Sequence, residues 1–235
     1  MSGELINKPE RLWVYTLLPA LILNIWSLLI YIPYYALLAV RPEIVSGITP
    51  GQITLLSYSG VVVIEWGFAL SIIYRSLQAG IPLRRVVAPS GSFLSFRWYP
   101  ALALFLFWNA LFAIYFRFAE RLYGDLSGAY AGIGGWEKIL FVLIVPLSAA
   151  FCEELIWRGY IPPHLEAKGY RTPSVILLAS LSFALIHGVF LVDKVFMTFI
   201  LGIAATYYYI RERNLLPLFI THWVADFWSF SLLMF

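Results

Sequence analysis

The chain has 235 residues, of which 61% are hydrophobic and 12% charged, with a mean hydropathy of +0.82 and a formal net charge of +3. A soluble domain carries about 25% charged residues, so a soluble fold is excluded and an integral membrane protein is expected. The charge is too small and too scattered for a nucleic-acid binder, and the single cysteine, Cys152, rules out an internal disulfide.

Crossing a bilayer takes about 20 apolar residues. Seven segments qualify in chain order: 12–40, 52–74, 98–116, 139–157, 173–192, 195–210 and 215–235. The expected fold is therefore all-α, a polytopic transmembrane helix bundle of seven spans, or eight if Pro33 or Pro146 breaks one of them. The first apolar stretch is longer than the 7–15 residues, roughly, of a signal-peptide core, so it reads as a retained span. Between the second and third spans, Arg75 to Arg97 holds Gly80, Pro82, Pro89 and Gly91, which marks a loop with room for a short interfacial helix. Gly124 to Gly135, with five glycines, reads as a second flexible connection.

The distribution of Lys and Arg predicts orientation. With seven spans, Lys8, Arg11, Arg75, Arg84, Arg85, Arg97, Arg158, Lys168, Arg171, Arg211 and Arg213 fall on the side of the N-terminus. The other side holds Arg41, Arg117, Arg121, Lys138 and Lys194. A cytoplasmic N-terminus follows, with Glu153 and Glu154 at the cytoplasmic end of the fourth span and a site opening to the cytoplasm or inner leaflet. The compact size suggests a bacterial or archaeal plasma membrane.

Ionisable residues inside the spans carry the chemistry. The run Ile139 to Ala150 holds no charge and then meets two adjacent acids, Glu153 and Glu154. Each charge in hydrocarbon costs about 2.5–3.5 kcal/mol on insertion scales, so the pair needs a reason. On a helix, Glu154 and Arg158 share a face in the favourable order for an ion pair, and Glu153 is turned about 100° away toward other partners. Further along, Phe183 and His187 are one helical turn apart, as are His222 and Asp226. Asn24, Glu65 and Asn109 complete the list of polar residues within spans.

A lone histidine in a span is more often a packing residue, and a His–Asp pair can simply neutralise itself. Acids and imidazoles on three spans of one small protein become tolerable together if they meet around water or a metal. Two carboxylates and two histidines suit hydrolysis, and the same set suits zinc with an open position for water. No His-Glu-x-x-His run and no Gly-x-Ser-x-Gly elbow is present. Cys152, Asn109 and His164 read as structural residues.

Glu153-Glu154-x-x-x-Arg158, Phe183-x-x-x-His187 and His222-x-x-x-Asp226, in this order on successive apolar segments, resemble the three motifs of the CPBP family, the CAAX proteases and bacteriocin-processing enzymes. That family includes the type II CAAX prenyl endopeptidases. The resemblance covers residues 139–235 as a catalytic helical core, and residues 1–138 match only as generic spans and loops of the same membrane domain. It implies an intramembrane endopeptidase with a catalytic cavity between helices. The substrate would be a peptide or a lipid-modified protein, such as one with a prenylated CAAX terminus, met among membrane lipids.

By resemblance, Glu153 is the general base acting with His187, His222 and Asp226 form an oxyanion-stabilising pair, and Glu154 with Arg158 completes the first motif. A metalloprotease reading, with Zn2+ held by Glu153, His187 and His222, stands beside a metal-free glutamate mechanism. Asp226 departs from the asparagine that prenyl-protease members generally carry, and an ionised carboxylate has no proton to donate. The departure shifts weight toward a metal or toward a role in orienting His222. The rival readings are a non-catalytic immunity or scaffold protein of the same fold, and a proton-coupled transporter. The second would be expected to show an internal repeat, which is absent from the sequence.

Overall fold

The computed structural model describes residues 13–89, 91 and 94–235; Lys8, Arg11 and Leu12, used in the orientation and span readings, lie outside them. Each expected span has a helical counterpart: α1 (Trp13–Val40), α2 (Pro50–Gln78), α3 (Trp98–Tyr123), α4 (Gly135–Ala167), α5 (Thr172–Leu185), α6 (Val192–Glu212) and α7 (Leu216–Met234). No strand occurs among the described residues.

Five of these, α1 to α4 and α7, are long and apolar enough to cross a membrane. The other two expected spans, α5 and α6, fall outside that set by length or hydropathy. Helix α5 has 14 residues, which is about 21 Å against a hydrocarbon core of about 30 Å. Helix α6 is long enough, but Asp193, Lys194, Arg211 and Glu212 at its ends lower its hydropathy. Pro33 and Pro146 both lie inside unbroken helices, so neither creates a further span.

The largest departure from expectation is α4. It runs on past the apolar segment through a π-helical turn at Leu155–Tyr160 and ends only at Ala167, 33 residues in all. Glu153 is therefore not at the end of a span but about 21 Å of helix from Ala167. Every residue from 152 to 165 is buried. In the first half of the same helix Ile139, Leu143 and Leu147 are 53%, 45% and 49% exposed.

The buried half of α4 is enclosed by α1, α2, α5 and α6, and its Ile156, Trp157 and Ile161 form one core with Ala69, Ile72, Val175 and Phe183. Trp157 Nε1 donates to Ser182 Oγ at 2.9 Å, and Ser182 Oγ donates to the Thr16 carbonyl at 2.5 Å, which joins α4, α5 and α1. Helices α5 and α6 pack closely because Gly202 lies against Ser180, where an added Cβ would come within 3.0 Å of the Ser180 backbone.

The two ends of the bundle are tied differently. At the end near Trp13, a short helix at Leu83–Val87 lies in the 79–97 connection, Leu215 N–H donates to the Val87 carbonyl at 2.9 Å, and Arg97 pairs with Glu212. At the other end, the glycine-rich connection is less free than its composition suggests. Asp125 caps a 3-10 turn at Leu126–Tyr130, Thr54 Oγ1 donates to the Ala129 carbonyl at 2.7 Å, and Gly51 N–H donates to the Ala131 carbonyl at 2.9 Å. An added Cβ on Gly51 would collide with Ala131 and Ile133, so glycine permits this contact.

Candidate active site

Glu153 and Glu154 are the last residues of the α-helical part of α4, and the π turn that follows carries Arg158. Arg158 Nη1 donates to Glu154 Oε1 at 3.0 Å, with both side chains fully buried. The guanidinium also lies over the Phe183 ring, 4.0 Å from its centroid, where the face of the ring offsets charge that hydrogen bonds leave uncovered. The adjacent Glu153 is directed to the other side, as the helical rotation predicts.

Two histidines meet it there. His187 Nδ1 is 3.0 Å from the Phe183 carbonyl. A carbonyl can only accept, so Nδ1 carries the proton and in the neutral ring Nε2 is left with its lone pair. That Nε2 is 3.9 Å from Glu153 Oε2. His222 Nδ1 lies 2.9 Å from Glu154 Oε1 and its Nε2 lies 3.7 Å from Glu153 Oε2 and 3.4 Å from Asp226 Oδ2. The ring is held further by Trp108, 5.2 Å away between centroids. Separations of 3.7 and 3.9 Å exceed a direct hydrogen bond, but they allow one water to bond to both partners at about 2.8 Å each.

The structure thus brings together Glu153, Glu154, Arg158, His187, His222 and Asp226 from α4, α7 and the turn after α5. Cys152 faces the opposite way into the α2–α4–α5 core. His164 is a turn beyond the site, with Nδ1 on the Tyr160 carbonyl at 2.7 Å, and Asn109 Nδ2 donates to the Phe105 carbonyl at 2.8 Å. Neither joins the cluster.

Other residues enter that the motifs do not mark. Glu65 on α2 is buried beside Glu153, close enough for their carboxyl groups to interact. Asn24 on α1 donates to the Leu185 carbonyl at 2.8 Å and accepts from Val189 N–H at 2.9 Å. It bridges the two ends of the loop that carries His187, which includes Gly188 at φ +100°.

A cavity of about 790 Å³ opens from this cluster. Its walls come from the C-terminal halves of α1, α3 and α7 and the N-terminal halves of α2 and α6, and include Tyr35, Tyr58, Phe112, Tyr130, Lys194 and Phe230. All of these lie toward the end of the bundle holding residues 41–49, 124–134 and 188–191. The expected opening on the side of the N-terminus is therefore corrected: the cavity reaches the opposite side. The reason is the length of α4, which sets its acids deep in the bundle instead of at a membrane face.

A catalytic zinc takes about three protein donors around an open position for water. Among the described residues no three His, Cys, Asp or Glu side chains converge to hold a metal ion. The Arg158 guanidinium, buried beside Glu154, adds a positive charge that opposes a second cation. Glu153, His187 and His222 are the residues that would hold such an ion, and it would supply a Lewis acid to the water there.

The comparisons with known proteins agree with the motifs. Residues 135–228 match the family model described as Type II CAAX prenyl endopeptidase Rce1-like. No curated protein and no solved structure matches the chain. The match begins with α4 and takes in α5, α6 and most of α7, so it spans all six motif residues and stops short of Asn24, Glu65 and Trp108. At this level it supports a membrane protease acting on a membrane-associated protein.

Proposed function

We propose, from the premise that the chain belongs to the type II CAAX prenyl endopeptidase Rce1-like family through residues 135–228, that it is an intramembrane endopeptidase whose water is activated by Glu153 and His187. The observation that carries this reading is the meeting of His187 Nε2 and His222 Nε2 at one oxygen of Glu153, at 3.9 and 3.7 Å, on the wall of a large cavity.

In the proposed reaction, water is held between Glu153 Oε2 and His187 Nε2. The Glu153 carboxylate takes one proton as the water oxygen bonds to the scissile carbonyl carbon. The carbonyl π electrons move to oxygen, and the resulting oxyanion is met by His222, which as imidazolium donates from Nε2. Asp226 and Glu154 orient that ring from two sides, and Arg158 keeps Glu154 an acceptor. The intermediate then collapses: the C–N bond breaks, and Glu153 returns its proton to the leaving nitrogen. On this reading Asp226 orients and balances charge, as an ionised carboxylate can, and does not donate.

The substrate we propose is a peptide or lipid-modified protein terminus of the CAAX type, with its apolar part along the aromatic cavity wall. The test uses the full chain in neutral detergent and a fluorogenic peptide with an S-farnesyl cysteine fourth from its end. Glu153→Gln and His187→Ala should each lower turnover by about 10²–10⁴-fold, the range for a lost acid–base group. Cys152→Ala should not lower it; loss of cleavage in that variant would sink the water-activation mechanism. Elemental analysis with and without chelator is part of the same test, and one zinc per chain required for cleavage would replace Glu153-activated water with a metal-held one.

Orientation belongs to the proposal too. Among the described residues Arg75, Arg84, Arg85, Arg97, Lys168, Arg171, Arg211 and Arg213 lie at the end of the bundle near Trp13, which we assign to the cytoplasm. The cavity then reaches the far side. Labelling single cysteines at Gly169 and Gly47, in a Cys152→Ala background, should place the first inside and the second outside; the reverse pattern overturns the assignment.

A further inference from the structure

We infer that Lys194 is a recognition point for a carboxylate of the bound peptide, holding it beside the reacting centre. The inference rests on the peptidase reading for the identity of the ligand as a peptide. Among the described residues lining the cavity, Lys194 is the one Lys or Arg. It stands at the start of α6, next to the loop bearing His187, and is near enough to His187, Glu153 and Asp226 to act on them electrostatically.

Nothing on its own side neutralises it closely. Lys194 forms no ion pair among the described residues, while Glu153 and Asp226 both approach His222, at 3.7 and 3.4 Å. Its neighbour Asp193 accepts from the Tyr123 hydroxyl through Oδ1 at 2.7 Å. A half-buried ammonium on a largely apolar wall, without a paired acid, is costly unless a ligand completes it. The ligand that fits is an anion on a chain already lying across Glu153 and His187, so the carboxylate belongs within a few residues of the scissile bond. Either a free chain terminus or an acidic side chain supplies that group.

The competing structural role is a lysine that turns its ammonium out to the membrane surface and contributes only its aliphatic stem. The two differ in whether the charge of the peptide matters. The experiment measures binding of three S-farnesyl peptides to the full chain in neutral detergent, in a Glu153→Gln background that prevents turnover. One peptide ends in a free carboxylate, one in a carboxamide, and one in a carboxamide with aspartate as its last residue.

At least one carboxylate peptide should bind about tenfold more tightly than the neutral amide, the order given by one charge-assisted hydrogen bond. Which one does so identifies the source of the carboxylate. Lys194→Arg should keep the ratio and Lys194→Met should bring it to about one. Equal affinity for all three peptides, or a ratio that survives Lys194→Met, overturns the inference. Cleavage of the same peptides by the chain with Glu153 intact is read separately. Discrimination without cleavage removes the peptidase reading and keeps the carboxylate site, and cleavage without discrimination does the reverse.

Discussion

The two halves of α4 are one continuous helix in two different solvents. In the first, Ile139, Leu143 and Leu147 face outward, where the lipid would be, and the sequence is free of charge from Ile139 to Ala150. In the second, residues 152–165 are buried among other helices, and there the helix carries Glu153 on the cavity wall, Glu154, Arg158 and a π turn. A helix surrounded by lipid must satisfy its own polar groups, whereas one surrounded by other helices can draw partners from them. The difference teaches that the acids mark where the bundle closes around α4, not where the helix leaves the membrane.

The comparison breaks first at Arg158. Arg158→Met strips the guanidinium from buried Glu154 and leaves it the His222 ring as partner, and should cost about 3–5 kcal/mol of stability, read as unfolding of the purified protein in mild detergent. Changing Glu154 to Gln in the same chain should recover part of that loss; if the single variant is as stable as the original, the enclosed half is not dry. In the lipid-facing half the order reverses. Leu143→Arg should cost about 2.5–3.5 kcal/mol of insertion free energy, read as the inserted fraction in microsomes, because no partner waits for it.

Asn24→Ala is a smaller effect, about 1–3 kcal/mol for the unsatisfied Leu185 carbonyl and Val189 N–H. It should also lower turnover through His187 while leaving Glu154 and Arg158 paired. The smallest change belongs to Leu147→Ala, within about 0.5 kcal/mol, since lipid tails are as apolar as leucine.

Much of the site was legible because its six residues sit at helical spacings within three short runs. Glu154 with Arg158, and His222 with Asp226, are neighbours along one helix, and periodicity alone pairs them. The depth of the site was not legible. The apolar pattern ends the fourth span at residue 157, and the protein-enclosed continuation of α4 has the composition of a helix end without being one. Asn24 was visible as a polar residue in a span, but its partner lies 161 residues away, at Leu185. Lys194 was counted as one more charge on the far face, since only the turn between α5 and α6 brings it to the cavity. The glycines of 124–135 suggest looseness, while the missing side chain at Gly132 admits close contact with Thr49.

The cavity wall has a consequence for how this enzyme could change. The groups proposed to break the peptide bond all lie within the family-matched stretch, while Tyr35, Tyr58, Phe112 and Tyr130 lie before it. Machinery and much of the aromatic wall are thus drawn from different parts of one polypeptide, with Lys194 and Phe230 added from α6 and α7. Substitutions in the first part can remould what is admitted without retuning the acid–base pair, so divergence in diet need not involve divergence in chemistry.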